Sequence, residues 1–275
     1  MEVVILCGGL GTRLREETEF RPKPMVGIGA RPILWHIMKI FAAQGHTDFT
    51  LALGYKGEMI KDYFLNYEAM NNDVTIELGK PDKALLHSCH EECGWKITLA
   101  STGEKALKGA RLKKVAKYIK GDTFFMTYGD GVADIDLNAL LAFHKSHGKM
   151  VTVSGVTPAS QFGELRVEGD RVACFHEKPK GPGADPSDPS GPSGPSGLPG
   201  KLINGGYMAL NRAIFERLSE DDACDLEYGP FERLAEEGQL MVYRHPGFWA
   251  CMDTLRDTEY LNKLWETGQA GWKLW

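Results

Sequence analysis

A short apolar strand, Val3-Val4-Ile5-Leu6, runs straight into Gly8-Gly9-Leu10-Gly11-Thr12-Arg13-Leu14, and Lys23 follows inside Arg21-Pro22-Lys23-Pro24-Met25. A strand that is apolar without alternation is buried on both faces, as in a parallel sheet covered by helices. Its break into glycines puts bare backbone N–H groups at the carboxyl end of the strand, where they can hold phosphate oxygens. Arg13 and Lys23 add the positive charge that a triphosphate needs. The spacing is neither G-x-x-x-x-G-K-[ST] nor G-x-G-x-x-G, so the Walker loop and the dinucleotide fingerprint are both excluded. A Gly-Gly pair after a strand is on its own most often a plain turn. The register with Arg-Pro-Lys-Pro is what makes it a candidate phosphate site.

The rest of the chain reads as alternating strands and helices. Strands are expected over 2–7, 48–54, 73–78, 95–100, 123–128, 150–157, 172–176, 203–210 and 239–244. Helices are expected over 31–44, 56–69, 109–119, 136–147, 212–218, 229–237 and 254–265. In the first helix Ile33, Leu34, Ile37, Met38 and Phe41 share one face, so this stripe, with Trp35 and His36 beside it, reads as core and not as a ligand site. The alternation predicts an α/β fold: a doubly wound, mostly parallel, Rossmann-like sheet, with a small β extension and a C-terminal helix. Such sheets bind ligands outside the carboxyl ends of their strands, where both the Gly8–Arg13 run and Asp130 lie. The whole chain, 1–275, is read as a single domain interrupted at 181–200. That stretch is almost wholly Gly, Pro, Ser and Asp and has only Leu198 to seed a core, so it reads as a flexible loop insertion.

Composition narrows the function. A formal charge of −5 argues against a nucleic-acid groove but not against a small anionic ligand, since a few focused cations set the local potential. No apolar run approaches the roughly 18 residues of a membrane span, and no basic–apolar leader opens the chain, so a cytoplasmic protein is expected. Six scattered cysteines suit reduced thiols in that compartment. The cluster His87, Cys89, His90 and Cys93 is metal-like in composition, but its spacing matches no common zinc pattern and reads better as a surface loop. The tail carries Trp272 and Trp275, which need a surface to pack on, in this chain or in a partner.

Two acidic residues draw attention. Asp130 stands between Gly129 and Gly131 at a strand end, and Asp253 lies just before the last helix. Two carboxylates converging on a Mg²⁺–triphosphate are the usual arrangement for nucleotidyl transfer. The plain alternatives are a turn residue for Asp130 and a helix N-cap for Asp253. Glu177-Lys178-Pro179, after a strand, and Asn204-Gly205-Gly206, before another, have the groups to hold sugar hydroxyls and a sugar phosphate. Each is weak alone.

Taken in order, G-G-L-G-T-R-L, R-P-K-P-M, R-P-I-L-W-H-I-M-K, G-Y-K-G, T-Y-G-D-G-V-A-D, E-K-P-K, I-N-G-G and H-P-G-F-W-x-x-M-D-T-L-R-D resemble the sugar-1-phosphate nucleotidyltransferases over nearly the whole chain. Within them, Trp35-His36-Ile37-Met38, Tyr128-Gly129-Asp130-Gly131 and Gly247-Phe248-Trp249 favour the glucose-1-phosphate cytidylyltransferase branch. The resemblance implies Mg²⁺-dependent transfer of CMP from CTP to α-D-glucose 1-phosphate, giving CDP-glucose and pyrophosphate. It implies that Leu6, Cys7, Gly8, Gly9, Leu10, Gly11, Thr12 and Arg13 hold the base and phosphates of CTP. Lys23 would bind phosphate, Arg111 would contact the nucleotide, and Gly129 would line its site. Arg13, Lys23 and Asp130 would carry catalysis, Asp130 and Asp253 would hold the metal, and Glu177, Lys178 and Asn204 would face the sugar phosphate. The product would feed deoxysugar synthesis for cell-surface polysaccharide such as the O-antigen of lipopolysaccharide, and a homo-oligomer, a hexamer included, is implied. The alternatives are UTP or dTTP in place of CTP, or a non-catalytic sugar-nucleotide-binding homologue. The chain departs from the pattern at Cys7, where a small residue is expected, at Ala110, where a second glycine is expected, and at 181–200, which is longer than the expected connection.

Replacing Gly183–Gly200 by a short Gly-Ala linker is expected to leave the melting temperature nearly unchanged. Halving a flexible loop alters its closure entropy by only about 0.6 kcal/mol. A large drop in melting temperature would show that the stretch is packed.

Overall fold

The computed structural model describes residues 1–79, 84–87, 90–157, 164–168, 171–176 and 202–275. The expected 181–200 loop and the Glu177-Lys178 pair lie outside the described residues. Eleven strands, in chain order, position the site: β1 (Glu2–Cys7), β2 (Asp48–Leu53), β3 (Lys96–Ser101), β4 (Thr123–Tyr128), β5 (Gly131–Ala133), β6 (Val151–Val156), β7 (Glu164–Glu168), β8 (Arg171–His176), β9 (Ile203–Asn211), β10 (Leu240–Arg244) and β11 (Trp249–Cys251).

Among the described residues seven of these form one sheet, in the order β3-β2-β1-β4-β9-β6-β10. All neighbours are parallel except β9, which runs antiparallel to both β4 and β6. The lack of alternation in β1 has the expected cause. Val3, Ile5 and Cys7 face one apolar layer while Val4 and Leu6 face the other. The first layer is closed by α1 (Ile33–Ala42), α2 (Gly57–Leu65), α4 (Leu137–His147) and α5 (Leu255–Glu266), and the second by α3 (Lys108–Lys114) with Ile214, Phe215 and Leu234. This is the doubly wound, mostly parallel sheet that the strand–helix alternation predicts. The small antiparallel β7–β8 hairpin supplies a β extension.

Several elements are shorter than the sequence suggests. The 56–69 helix breaks at Asn66 into α2 and a Tyr67–Asn71 turn. The 109–119 helix ends at Lys114 and continues as a tighter turn over Ala116–Tyr118. The 212–218 segment is likewise a tight 3-10 run, Arg212–Arg217. The 229–237 helix shrinks to Glu232–Glu236, because Gly229 adopts φ 94° and Pro230 follows it. α4 is capped at both ends: Asp136 accepts from the Ala139 N–H at 2.8 Å at its start, and Gly148 ends it at φ 63°.

Of the Cys/His cluster, Cys89 lies outside the described residues. His87 Nε2 lies 2.7 Å from the Thr75 hydroxyl, and His90 Nε2 lies 2.9 Å from Glu68. Cys7, Cys224 and Cys251 are free thiols, but Cys93 is disulfide-bonded, so the expectation of uniformly reduced thiols fails there. Among the described residues no helix is long and apolar enough to cross a membrane.

The tryptophan tail finds its surface within its own chain. Trp272 is fully buried against His36, Phe248 and Trp265, and Trp275 packs edge-on to Trp35. His36 is wholly enclosed, and burial drops its pKa to about 4, so the ring is neutral at ordinary pH. Its Nε2 lies 3.0 Å from the Ile28 carbonyl, and its Nδ1 accepts from the Trp272 indole N–H at 3.4 Å. A neutral ring with the proton on Nε2 satisfies both contacts. The tail therefore offers no argument for a partner chain.

Trp272→Ala is expected to destabilise the fold by about 3–5 kcal/mol, the usual range for emptying a buried tryptophan site. Urea unfolding checks this, and an unchanged midpoint would mean that the tail is only loosely attached.

Candidate active site

The register of the sheet brings the two glycine-flanked motifs together. β1 lies beside β4 with Leu6 opposite Tyr128, so Gly8–Arg13 and Gly129–Asp130 leave the sheet at one edge. The Gly129 N–H donates to the Leu6 carbonyl at 3.1 Å. A Cβ on Gly129 would lie 2.8 Å from Pro24 Cγ, so this glycine lets the Arg-Pro-Lys-Pro segment pass under the end of the strand. Above the edge lies a cleft of about 540 Å³.

Asp253 reaches the cleft by a route that periodicity does not reveal. β5 pairs antiparallel with β11, matching Gly131 to Cys251. The Met252 N–H then donates to the Asp130 carbonyl at 2.8 Å, which holds the two acidic segments side by side. Asp253 is not the cap of α5. Thr254 takes that place, accepting from the Asp257 N–H at 3.3 Å, and the Asp257 carboxylate accepts from the Thr254 N–H at 2.7 Å in return. This capping box leaves the Asp253 side chain free to face the cleft.

Lys23 joins the two carboxylates. Its ammonium donates to Asp130 Oδ2 at 2.6 Å and to Asp253 Oδ1 at 2.5 Å, and Arg13 Nη1 pairs with Asp253 Oδ2 at 2.6 Å. Burial works against the charge on Lys23, but the bonded carboxylates outweigh it and hold its pKa above the ordinary lysine range. Among the described residues, Asp130, Cys251 and Asp253 can bring ligand atoms within 4.8 Å of one another. Oxygen donors suit a hard cation such as Mg²⁺, and the bridging ammonium already shows that the pair accepts a cation between them. The Cys251 thiol is too soft for Mg²⁺, and burial, with the Asp130 charge adding to it, raises its pKa and keeps it protonated.

The glycines of the first loop divide their duties. A Cβ on Gly8 would lie 2.1 Å from Arg111 Nη1, and one on Gly54 would lie 2.2 Å from the same atom. Gly8 therefore makes room for the Arg111 guanidinium, whereas a Cβ on Gly9 would meet nothing within 4 Å. Gly11 adopts φ 63°, and its carbonyl accepts from the Thr18 hydroxyl at 3.0 Å. Arg111 is buried and donates to the carbonyls of Gly8 at 2.9 Å, Gly103 at 2.7 Å, Glu104 at 3.0 Å and Leu53 at 3.3 Å, and to the Thr102 hydroxyl at 2.8 Å. It lines the cleft while it ties the ends of β1 and β2 to the turn after β3.

Most of the residues expected from sequence meet in this cleft: Leu6, Cys7, Gly8, Gly9, Gly11, Thr12, Arg13, Lys23, Arg111, Gly129, Asp130, Asn204 and Asp253 all line it. Leu10 does not, and it stands 54% exposed. Glu177 and Lys178 lie outside the described residues. Sequence reasoning missed Lys108, Tyr128, Trp249 and Cys251, which also line the cleft. Trp249 anchors its wall by donating from Nε1 to the Gly205 carbonyl at 2.7 Å. Tyr128 and Trp249 both stand in motifs that carry the family resemblance, and that was the available signal for them.

Comparison with known proteins agrees with this geometry. The model of the nucleotidyl transferase family matches residues 2–258. A glucose-1-phosphate cytidylyltransferase of Salmonella typhi is 47% identical over 276 residues, covering all of both chains, and one of Salmonella typhimurium is equally similar over the same span. Among solved structures, a UDP-glucose pyrophosphorylase complexed with UDP-glucose superimposes with a TM-score of 0.63 at 15% identity, covering 97% of this chain and 98% of that one, a likeness of fold. With the strand-end glycine loop, the Lys23 bridge and a family match over nearly its full length, the chain belongs to the nucleotidyl transferase family.

Proposed function

We propose that this chain transfers CMP from CTP to α-D-glucose 1-phosphate, giving CDP-glucose and pyrophosphate. The observation that carries the reading is the convergence of Arg13, Lys23, Asp130 and Asp253 beside the Gly8–Arg13 loop, in a chain 47% identical to proteins named for this reaction. A phosphate oxygen of the sugar phosphate attacks the α-phosphorus of CTP in line. The bond from that phosphorus to the bridging oxygen breaks, and pyrophosphate leaves with the electron pair. The protein need form no covalent bond, so its work is positioning and charge neutralisation.

Backbone N–H groups around Gly9 and Gly11 face the triphosphate, with Arg13 and Lys23 against the charge of the leaving pyrophosphate. Asp130 and Asp253 would hold Mg²⁺, which when bound supplies further neutralisation of the phosphates. Arg111 faces the nucleotide as a rigid part of the wall. We assign the sugar phosphate to Asn204, Glu177 and Lys178, the last two on sequence alone. We read the whole chain as one catalytic domain working in the cytoplasm. Its product supplies deoxysugar synthesis for surface polysaccharide such as the O-antigen of lipopolysaccharide. We also read it as a homo-oligomer, a hexamer included; the exposed apolar side chains of Leu65, Met70, Ile76, Leu78 and Leu85 support an interface.

A pyrophosphate-release assay with CTP, UTP and dTTP against glucose 1-phosphate tests the reading. Preference for UTP or dTTP would overturn the choice of base. Asp130→Asn keeps the shape of the side chain and removes its charge, so kcat is expected to fall at least about 100-fold with the fold intact. Near wild-type turnover at saturating Mg²⁺ would remove Asp130 from the reaction.

Lys23→Ala is expected to raise the KM for CTP roughly tenfold or more, the worth of one hydrogen bond to a charged group. The KM for glucose 1-phosphate should move far less. The reverse pattern in steady-state kinetics would place Lys23 on the sugar side.

A further inference from the structure

Behind Asn204 in the cleft wall stand Tyr128, Lys108 and Glu227, to which the reaction as described gives no role. The Asn204 side-chain oxygen accepts from the Gly206 N–H at 2.9 Å, which orients the amide so that its NH₂ points the other way. That NH₂ approaches the Tyr128 hydroxyl at 3.4 Å. Tyr128 in turn donates to Glu227 Oε1 at 2.5 Å, and the Lys108 ammonium pairs with the same oxygen at 2.6 Å.

The chain of hydrogen bonds has a single direction. An ionised carboxylate only accepts, so the Tyr128 proton must point at Glu227. Burial, and then the Glu227 charge, push the Tyr128 pKa upward, so its hydroxyl keeps the proton. The phenol oxygen can therefore offer only lone pairs toward Asn204. Asn204 is left with a second N–H for an acceptor in the cleft. Lys108 lies 5.6 Å from the centre of the Tyr128 ring, so the wall presents an amide N–H and an ammonium together. Both groups suit the oxygens of a phosphorylated sugar.

Glu227 itself is held from outside the cluster. Its own N–H donates to Asp225 Oδ1 at 2.9 Å, and the Gly229 N–H donates to Glu232 at 2.8 Å, which fixes the kinked segment that carries it. Its second oxygen, Oε2, is enclosed and has no hydrogen-bond partner among the described residues.

We propose that Glu227 is a positioning residue for the sugar-phosphate side of the cleft, acting through Tyr128 and Lys108 to fix which groups face the substrate. The inference rests on the functional reading above. It concerns the sugar phosphate and not the nucleotide. In Glu227→Gln the side chain can turn an N–H toward the phenol oxygen and reverse the relay, so that Tyr128 donates toward Asn204 and repels its NH₂.

The test is steady-state kinetics of Glu227→Gln and Tyr128→Phe, alone and together. Each is expected to raise the KM for glucose 1-phosphate about tenfold, the worth of one charge-assisted hydrogen bond, with the KM for CTP within about twofold of wild type. The double variant should be no worse than Glu227→Gln alone, because the Tyr128 contribution runs through Glu227. Glu227→Asp keeps the acceptor and should restore part of the affinity; it also serves if the glutamine variant does not fold. Equal rises in both KM values, or effects that add, would overturn the positioning role. Wild-type protein is run first against a panel of hexose 1-phosphates. If it uses another sugar, the choice of glucose is overturned, and the effect at Glu227 is read on the sugar it does use. Wild type inert with every member overturns both.

Discussion

The ammonium of Lys23 sits between two carboxylates that would otherwise repel each other at the mouth of the cleft. One opposite charge within hydrogen-bond distance of both offsets that repulsion. Lys23 supplies that cation from a side chain that is 10% exposed, and Arg13 adds a second contact from the solvent side. The bridge joins three segments far apart in sequence: the Arg-Pro-Lys-Pro turn, the end of β4 and the end of β11. The position of Pro24 under Gly129, the β5–β11 pairing and the capping box of α5 all serve to bring these three ends to one point.

Arg111 plays a comparable part for the backbone of the cleft wall. A buried guanidinium with protein acceptors on both terminal nitrogens stiffens the loops that frame the cleft. This changes the meaning of the glycine pair at the start of the chain. Gly8 is small because Arg111 passes it, and Gly9 is small where open space lies beyond it. The two glycines of one motif thus meet different surroundings, a packed guanidinium and an open cleft.

Much of this was legible in the sequence, and the legible part has a common cause. Buried parallel strands announce themselves as apolar runs, and glycines at their ends mark the loops that open the cleft, so β1, β4 and their loops are found where expected. The three-residue strands β5 and β11 are too short to show any period, and they decide where Asp253 goes. Glu227 was invisible because its contacts with Tyr128 and Lys108 join segments that are about 100 residues or more apart. One signal was present and unread: Thr254 with Asp257 three residues on is a capping-box pattern, which already takes the N-cap role away from Asp253. The 229–237 helix was overextended because the Gly229-Pro230 pair was not read as a break.

The tail of the chain bears on how the molecule comes into being. Trp272 closes onto His36 across 236 residues, and Asp253 meets Lys23 across 230. Contacts of such separation form late, since loop closure must precede any gain from them. The sheet can assemble strand by strand as the polypeptide lengthens, but one flank of α1 stays bare until α5 and the tail arrive. The same arrival delivers the second carboxylate to the cleft. One C-terminal segment therefore carries both the closing side of the core and the second carboxylate, and a chain cut short before β11 would possess neither.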